Sequence, residues 1–436
     1  MIDKILSKAC KLGVETEIYH SKIRSTSSSF ENSKIQFLED IFDEGVGIRV
    51  KYDGKLGFSS TCNINTANLE NLFEKAIKLA KVNNANPFIE FQKTATRDRG
   101  GFKSDKIAKI PSSRILEESS DLLNQTLEKS RKAGIQPMLS GGVSKSLIEI
   151  CVYNTNGVES RYEKTILSKT IYGKSNNPPS LECQVTDLTL LTEGETTGKI
   201  SDEFTNKLML SLHPRKRSKI NSKLILSPPA LGELLYFTIG QAVTGESMLR
   251  RRSFLFDKIG QQVASDNLSI IDWGDSNNFV SGRPFDCEGT PTRKNVIVDH
   301  GVLKQAVYDI EWGNRSGEKS TGNAHRSYYT PPFIGLNTIH IPPTAGDNLL
   351  NELGHGYYID TITGAHTSNS VTGDFGVVVV GGYEVKNGEI LYPIYGPLIA
   401  SSCQTLLNSI VNVGGKEEQV LINGTAIRFS PVMIEF

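Results

Sequence analysis

The sequence predicts an α+β fold: an N-terminal domain of two submodules, each a helix plus an antiparallel sheet, followed by a mainly β, barrel-like C-terminal domain. Apolar residues alternate with a period of two over most of the chain, and helical periodicity is confined to a few segments. Tight-turn pairs such as Asp53-Gly54 and Asn156-Gly157 join neighbouring strand candidates into hairpins. Strands that follow one another as hairpins argue against a doubly wound parallel sheet.

The composition is that of an ordinary soluble globular protein. A chain of 436 residues suggests two or three domains. Its 48 basic and 48 acidic residues cancel, so neither a nucleic-acid partner nor a disordered acidic chain is predicted. The six cysteines are scattered without a CxxC pair, which is typical of a reducing compartment. Without a leader pattern or an apolar run of about 20 residues, we expect a cytoplasmic protein with no membrane contact.

The N-terminal domain is predicted over residues 1–218. Its first submodule, about 1–85, contains an amphipathic helix over 2–12, an antiparallel meander over 15–60 and a covering helix over 66–82. Residues 86–112 show no periodicity and are predicted to be a connector between the two submodules. The second submodule, 113–218, repeats the plan with a helix over about 113–133 and strands around 143–153 and 157–172.

The C-terminal domain is predicted over residues 219–436, after a proline-rich and basic boundary. It opens with a helix over 230–249 that is apolar almost all round. Two hairpins are expected after it, over 295–309 with a turn at residues 299–301, and over 376–395 with a turn at Asn387-Gly388. A last helix is predicted over about 398–412.

Several motifs of common enzyme classes are absent from the sequence. There is no GxSxG, residues 194–199 fall one residue short of a P-loop, and no HExxH, CxxC pair or EF-hand loop occurs. Four of the seven histidines fall between residues 325 and 366, where scattered ligands could still assemble a metal site. None pairs with another histidine or a carboxylate at zincin spacing, which favours solvated loop histidines.

Two polar loops are the candidate functional segments. Residues 364–375, which we call the GDF loop, combine glycines with hydrogen-bonding side chains and a carboxylate that could accept backbone N–H groups and brace the following strand. Residues 322–327 precede the proline pair 331–332 and suit the wall of a cleft. Peptide docking and a purely structural turn both fit these residue types. The candidate side chains are Asn323, His325, Arg326, His366, Thr367, Asn369 and Asp374.

In order, these pieces resemble the TldD/PmbA family, and specifically its PmbA branch, also called TldE and sometimes labelled a modulator of DNA gyrase. The matching segments are SSFENSKIQFLEDIFDEGVGIRVKYDGKLGFSS at 28–60, RSFLFDKIGQQVAS at 252–265, GNAHRSYYTPP at 322–332 and GAHTSNSVTGDF at 364–375. Each segment is moderately specific, but four in the family's order are a strong signal.

The resemblance also indicates what this chain has lost. The TldD-type subunit resembles a zinc peptidase with a helical HExxxH motif, whose glutamate is the general base, and a C-terminal cysteine ligand. The corresponding positions here are Tyr236, Phe237 and Gln241, and residues 414–436 contain no cysteine. An aromatic ring and an amide are poor substitutes for imidazole and carboxylate. We therefore expect no metal, no cofactor and no catalytic residue in this chain.

The resemblance implies a non-catalytic subunit that forms a heterodimer with a zinc-bearing TldD-type chain, around a cleft that admits short or unfolded peptides. The chain could also form a homodimer when alone, and the two polar loops would line the cleft or hold the partner. Two alternatives remain: a self-sufficient homodimeric metallopeptidase that uses the loop histidines with Asp374, and a regulator of topoisomerase or toxin systems. The neutral charge gives the regulator little physical support.

Overall fold

Mostly antiparallel strands and interspersed helices make up the chain, which confirms the predicted α+β class. The structure, a computed structural model, describes residues 1–95, 100–220, 222–344, 346, 348–422 and 425–435. None of the helices within those ranges is long and apolar enough to cross a membrane.

One antiparallel sheet forms the centre of the N-terminal half, in the order β3-β2-β1-β4-β5-β6. The two predicted submodules therefore share a single sheet, joined where β1 pairs with β4. The strands are β1 Glu15–Glu31, β2 Lys34–Tyr52, β3 Lys55–Thr61, β4 Pro137–Asn154, β5 Glu159–Ser175 and β6 Cys183–Thr189. The helices are α1 Ile2–Leu12, α2 Thr66–Val82, α3 Asp105–Ala108, α4 Ser112–Lys132 and α5 Thr197–Leu210.

The strands are longer than the sequence predicts because polar residues continue them. Asp53 and Gly54 adopt positive φ and turn β2 into β3, as expected. A second pair with positive φ, Asn32 and Ser33, turns β1 into β2. The serine-rich end of β1 lacks the alternating apolar residues that mark a strand, so its pairing with β2 and β4 is not visible in the sequence.

The helices cover one face of this sheet. Leu69, Phe73 and Ala76 of α2 pack on Ile48 and Val50 of β2. Further along the sheet, α4 and α5 bury Leu122 and Phe204 against Leu167 of β5. Burial of such side chains contributes about 1.5–3 kcal/mol each, so these two cores fix the helices on the sheet.

The described residues of the C-terminal half form three sheets. Its strands are β7 Arg215–Lys216, β8 Leu224–Leu226, β9 Ile270–Trp273, β10 Lys294–Asp299, β11 Val302–Leu303, β12 Ala324–His325, β13 Phe333–Ile334, β14 Thr338–Ile341, β15 His355–Thr363, β16 Asp374–Lys386, β17 Glu389–Tyr395, β18 Leu398–Ser402, β19 Ile410–Val413, β20 Glu418–Ile422, β21 Thr425–Phe429 and β22 Val432–Ile434. Its helices are α6 Pro228–Phe237, α7 Ile239–Ala242, α8 Gly245–Leu249, α9 Ile310–Ser316, α10 Leu349–Leu353 and α11 Cys403–Asn408.

A six-stranded sheet has the order β11-β10-β9-β14-β21-β20, and an eight-stranded sheet runs β19-β22-β8-β15-β16-β17-β7, with β18 beside β16. Strands β12 and β13 pair separately. The mainly β character is as predicted, but over the described residues none of these sheets closes into a barrel. The hairpin turns at His300-Gly301 and Asn387-Gly388 occur as predicted, with positive φ.

Two predicted helices differ from the structure. The helix expected over 230–249 consists of α6, α7 and α8, which are separated by breaks at Thr238 and at 243–244. The helix expected over 398–412 is a strand, a short helix and a second strand, because Leu398 and Ile399 pair with β16. Apolar runs of this length fit a buried strand as well as a helix, and only the neighbouring strand decides between them.

The open face of the N-terminal sheet packs on the C-terminal half. Tyr19, Val152 and Tyr162 are buried there with Phe285 and Cys287. Phe285 and Tyr162 meet edge to face, with ring centroids 5.0 Å apart. The boundary near residue 219 stays a prediction, and the two predicted domains share this buried surface.

Candidate functional site

Tyr236, Phe237 and Gln241, which by resemblance correspond to the HExxxH motif and which we call the window, lie at a break between two helices. Ser227 caps α6, since its Oγ accepts a hydrogen bond from the Ala230 N–H and donates one to the Asp360 carbonyl. The helix ends at Thr238, whose φ of −109° and ψ of −81° are not helical, and α7 begins at Ile239. The break therefore separates Tyr236 and Phe237 from Gln241.

The three window side chains reach the surface to different extents. Tyr236 and Phe237 are half-buried, and Gln241 is exposed. The two rings meet edge to face, with centroids 5.0 Å apart and an angle of 89° between their planes. A phenyl ring offers neither a metal ligand nor a proton acceptor. The position that the resemblance assigns to a general base is thus occupied by an apolar ring.

A cysteine lies directly behind the break. Cys403, at the start of α11, is fully buried and its Sγ donates to Thr238 Oγ1 at 3.4 Å. Burial raises the pKa of this thiol to about 12, so it stays protonated. A buried, protonated thiol is a packing residue rather than a metal ligand. Cys403 is far from the window in the sequence, and the fold brings its thiol into contact with Thr238.

The GDF loop brings His366 to the same surface. His366 lies in a short 3₁₀ helix, Ala365–Thr367, and its ring centroid is 6.4 Å from that of Phe237. Glu233, one turn before Phe237, is close enough to His366 for the imidazole to lower its pKa, but burial dominates and raises that pKa overall. His366, Phe237 and Glu233 form one surface with Tyr236, and we call these four residues the window surface.

Asn369, rather than Asp374, organises the GDF loop. Asn369 Oδ1 accepts hydrogen bonds from the backbone N–H groups of Val371 and Thr372, at 2.9 and 3.4 Å. The predicted backbone contacts of the Asp374 carboxylate are not found, because this carboxylate accepts instead from Thr372 Oγ1 at 2.7 Å. His366, Thr367, Asn369 and Asp374 are all exposed. Their positions fit both a structural turn and a surface that binds a partner or peptide.

Residues 252–265, another of the segments that match the family, pack against the GDF loop. Gly373 has a φ of +85°, and its Cα faces the ring of Phe254, where a Cβ would stand 3.2 Å from the nearest ring carbon. Ser253 Oγ donates to the Ala242 carbonyl at 2.7 Å. The segments 252–265 and 364–375 are thus neighbours, which explains why a glycine is required at position 373.

The other candidate loop lies elsewhere and is buried. Asn323 is fully buried, and its Nδ2 donates to Asp272 Oδ2 and to the Gly335 carbonyl, both at 2.8 Å. The Asp272 carboxylate also accepts from Asn295 and Asn337. Burial raises the pKa of Asp272, and these hydrogen bonds partly offset the shift. Asn323 therefore holds strands and loops together and does not line an open cleft.

His325 and Arg326 continue the buried region. Burial and the Arg283 guanidinium, whose Nη2 lies 3.0 Å from His325 Nε2, hold the pKa of His325 well below its usual value. Arg326 Nη1 donates to Glu17 Oε1 at 2.7 Å, and neither side chain is exposed. The Arg326 guanidinium also lies over the Tyr19 ring, 4.5 Å from its centroid. A direct role at an accessible wall or partner surface does not fit this burial.

Arg326 belongs to an ion network between the two halves of the chain. Arg49 Nε and Nη2 bind the Glu17 carboxylate at 2.9 and 2.8 Å, and Nη2 also contacts Glu288 at 2.9 Å. We call Glu17, Arg49, Glu288 and Arg326 the interdomain ion cluster. The sequence does not predict this cluster, because its members are up to 309 positions apart and no local pattern links them.

The loop histidines have separate surroundings. His340 Nε2 lies 3.2 Å from a Glu417 carboxylate oxygen, His325 contacts Arg283 and His366 packs on Phe237. Across the described ranges, no group of three His, Cys, Asp or Glu side chains is arranged to hold a metal ion. A zinc site of the family's type does not fit the residues around Phe237.

Comparisons with known proteins cover most of the chain. A family model described as the PmbA/TldA metallopeptidase C-terminal domain matches residues 220–435, and one described as domain 1 matches residues 16–80. An uncharacterized protein of Methanocaldococcus jannaschii is 31% identical over 390 residues, which are 89% of each chain. A metalloprotease PmbA homolog of Haemophilus influenzae is 26% identical, over 93% of this chain and 88% of its own.

Solved structures share the whole fold. TldE from Thermococcus kodakarensis aligns with a TM-score of 0.90 and 22% identity, covering 100% of this chain and 98% of that one. A putative modulator of a DNA gyrase from Thermotoga maritima aligns with a TM-score of 0.87 and 22% identity, with the same coverage. At this identity, the likeness establishes the fold.

Proposed function

Because this chain belongs to the PmbA/TldD metallopeptidase family, we propose that it is the non-catalytic subunit of a metallopeptidase complex that degrades or processes short or unfolded peptides. Its partner is a TldD-type chain that supplies the zinc, and both act in the cytoplasm. Relatives such as the Haemophilus influenzae protein carry the name metalloprotease. The family resemblance in the sequence is confirmed, whereas the division of labour between two chains is our proposal.

The observation that carries the proposal is the chemistry of the window surface. Phe237 occupies the position of the general base and packs between Tyr236 and His366. Hydrolysis by a metal-bound water needs ligands for the ion and an acceptor for the proton. The Phe237 ring supplies neither, and the nearby Cys403 thiol is buried and protonated. His366 and Glu233 beside the ring belong to no group of three ligating side chains among the described residues.

The window surface is suited to binding. Half-buried rings of Tyr236 and Phe237 offer apolar area, and the exposed His366 beside Phe237 offers a hydrogen-bonding group. Ligand sites commonly combine an apolar surface with a few polar groups of this kind. We propose that this surface orients the peptide backbone or contacts the TldD-type chain next to the catalytic zinc.

The test measures metal content and peptidase activity of the purified full-length chain. We expect no stoichiometric zinc by elemental analysis after incubation with excess zinc, and no peptide cleavage by the chain alone. Cleavage should appear when a TldD-type chain from the same organism is added, and it should be sensitive to a chelator. Phe237→Leu, which keeps an apolar side chain, should still support the partner.

The self-sufficient metallopeptidase predicts different results. It requires one zinc ion per chain and chelator-sensitive cleavage without a partner, and His366→Ala should abolish that cleavage. Lys386→Ala, an exposed change at the far end of β16, is the matched control. Activity of the isolated chain that depends on His366 would contradict the non-catalytic role.

A further inference from the structure

The accessible side of α6 is one stripe of side chains. The residues of this helix that face the core are Pro228, Ala230, Leu231, Gly232, Leu234 and Leu235. Those that stay partly exposed are Pro229, Glu233, Tyr236 and Phe237. Glu233 is the one charged residue of α6, and residues three and four positions apart lie on the same side of a helix. The Glu233 carboxylate therefore lies on the same side of α6 as the two aromatic rings.

Glu233 lacks a cationic partner within the chain. Among the described residues, none forms an ion pair or a hydrogen bond with its carboxylate, and His366 is the neighbour whose imidazole lowers its pKa. Burial outweighs that effect and raises the pKa. Glu384 is also partly buried, but its carboxylate contacts Arg217 at 2.5 Å. A carboxylate removed from water without a partner is destabilised, and a bound cation would offset that loss.

The rings of Tyr236 and Phe237 also lack a cation. Elsewhere in the chain cations lie over aromatic rings, as the Arg250 guanidinium does 5.1 Å from the centroid of the Trp312 ring. No lysine or arginine in the described part of the chain lies over either ring of α6. An ammonium or guanidinium group is attracted to the face of such a ring, and more strongly where water is excluded. A carboxylate beside two rings is thus suited to a cationic ligand.

The size of the window surface favours a single group of a peptide as the ligand. The surface consists of four side chains, and its members lie on one helix and one loop. A stable interface between two proteins buries about 800 Å² on each partner, which is much more than four side chains provide. One ammonium or guanidinium group can contact the carboxylate and a ring together. Charge and size therefore both favour a cationic group of a peptide.

We propose that the window surface binds a cationic group of a peptide, with the Glu233 carboxylate as its counter-ion and the rings of Tyr236 and Phe237 beside it. The group is the side chain of a lysine or arginine, or the α-amino group at the N-terminus of the peptide. This inference rests on the proposed function, since it names the part of a peptide that the surface recognises. Glu233 has a role in binding and none in catalysis.

Peptide binding to the full-length chain tests this site. Fluorescence anisotropy compares three versions of one labelled, unstructured peptide: N-acetylated with a central lysine, N-acetylated with a central norleucine, and norleucine with a free N-terminus. EDTA removes zinc, so that affinity is measured without cleavage, for the chain alone and for its mixture with a TldD-type chain. One of the two cationic versions should bind about tenfold more tightly than the uncharged one. The version that does so identifies the source of the cation.

Glu233→Gln should remove this preference and leave the affinity for the uncharged peptide unchanged, because the amide keeps the shape and loses the charge. Phe237→Leu should reduce the preference, since it keeps an apolar side chain and loses the ring face. Glu117→Gln, an exposed change on α4, is the matched control and should leave the preference unchanged. Glu233→Gln should not lower the melting temperature, because it removes an unpaired and partly buried charge.

Three outcomes would overturn the inference. Equal affinities for the three peptides would do so while leaving the proposed function intact, and so would a preference that survives Glu233→Gln. The third outcome is the absence of peptide binding by both the chain and the mixture. If Glu233→Lys then also prevents association with the TldD-type chain, the window surface belongs to that partner. Failure of the proposed function is distinguishable, because it appears as zinc binding or cleavage by the chain alone.

Discussion

At the scale of single residues, buried charges connect the two halves of the chain. Glu17 of β1 accepts hydrogen bonds from both Arg49 and Arg326, and Glu288 provides the second carboxylate for Arg49. Each charge has lost its hydration, so its stability depends on its partners. The interdomain ion cluster therefore connects the two halves of the chain. Removal of any one of its charges should leave a buried partner charge uncompensated and destabilise the protein.

Glu17→Gln should destabilise the protein strongly. The change leaves Arg326 without a carboxylate and Arg49 with Glu288 alone, which should lower the free energy of unfolding by about 3–5 kcal/mol. Urea denaturation measures the loss. Glu15→Gln is the matched control in the same strand, because Glu15 pairs with Lys51 at the surface and should change stability by less than about 1 kcal/mol. Equal losses of unfolding free energy in the two variants would contradict a stabilising role of the interdomain ion cluster.

Asp309→Asn should alter how stability depends on pH. Burial, with a further contribution from Glu288, raises the pKa of Asp309 to about 8. A carboxyl whose pKa is raised on folding adds stability below its unfolded pKa, about 3.9, and loses it as pH rises through 8. The variant cannot ionise, so its melting temperature relative to wild type should rise between pH 5 and pH 9. A constant difference across that range would refute the raised pKa.

At the scale of elements, strand β2 is shaped by the loop that lies on it. A Cβ on Gly45 would stand 2.3 Å from the Tyr328 ring, and a Cβ on Gly47 would stand 2.4 Å from the Tyr328 carbonyl oxygen. The two glycines allow the loop after β12 to contact the strand. Glycines inside a strand usually weaken it, and here they mark a close approach of two backbones.

Gly47→Ala should therefore lower stability by about 1–3 kcal/mol, as expected when a methyl group is forced into a filled space. Thermal or urea unfolding measures the change. Gly376→Ala on the exposed face of β16 is the control, because nothing lies within 4 Å of its added Cβ. If both alanines have the same small effect, the loop does not lie on β2 as described.

At the scale of the whole molecule, the open face of the N-terminal sheet requires the C-terminal half. Tyr19, Ile150, Val152 and Tyr162 would face water without Phe285 and Cys287. The same region contains the interdomain ion cluster. The chain therefore joins its two predicted domains through a core that neither completes alone.

A fragment of residues 1–218 should accordingly be unstable. We expect it to bind a hydrophobic dye and to melt at a lower temperature than the full chain, which should unfold in one cooperative transition. Differential scanning calorimetry and dye fluorescence measure both. A fragment that melts at the temperature of the full chain without binding dye would indicate independent domains.

The sequence by itself determined the α+β class, the hairpin turns, the family and the absence of ligating groups at Tyr236, Phe237 and Gln241, because periodicity, turn pairs and residue types are local properties. Only the tertiary structure decided which candidate residues share a surface. It places His366 beside Phe237 and Cys403 behind Thr238, and it buries Asn323 and Arg326 and half-buries His325. Contacts between distant strands depend on register and on sheet order, which a single sequence does not encode locally.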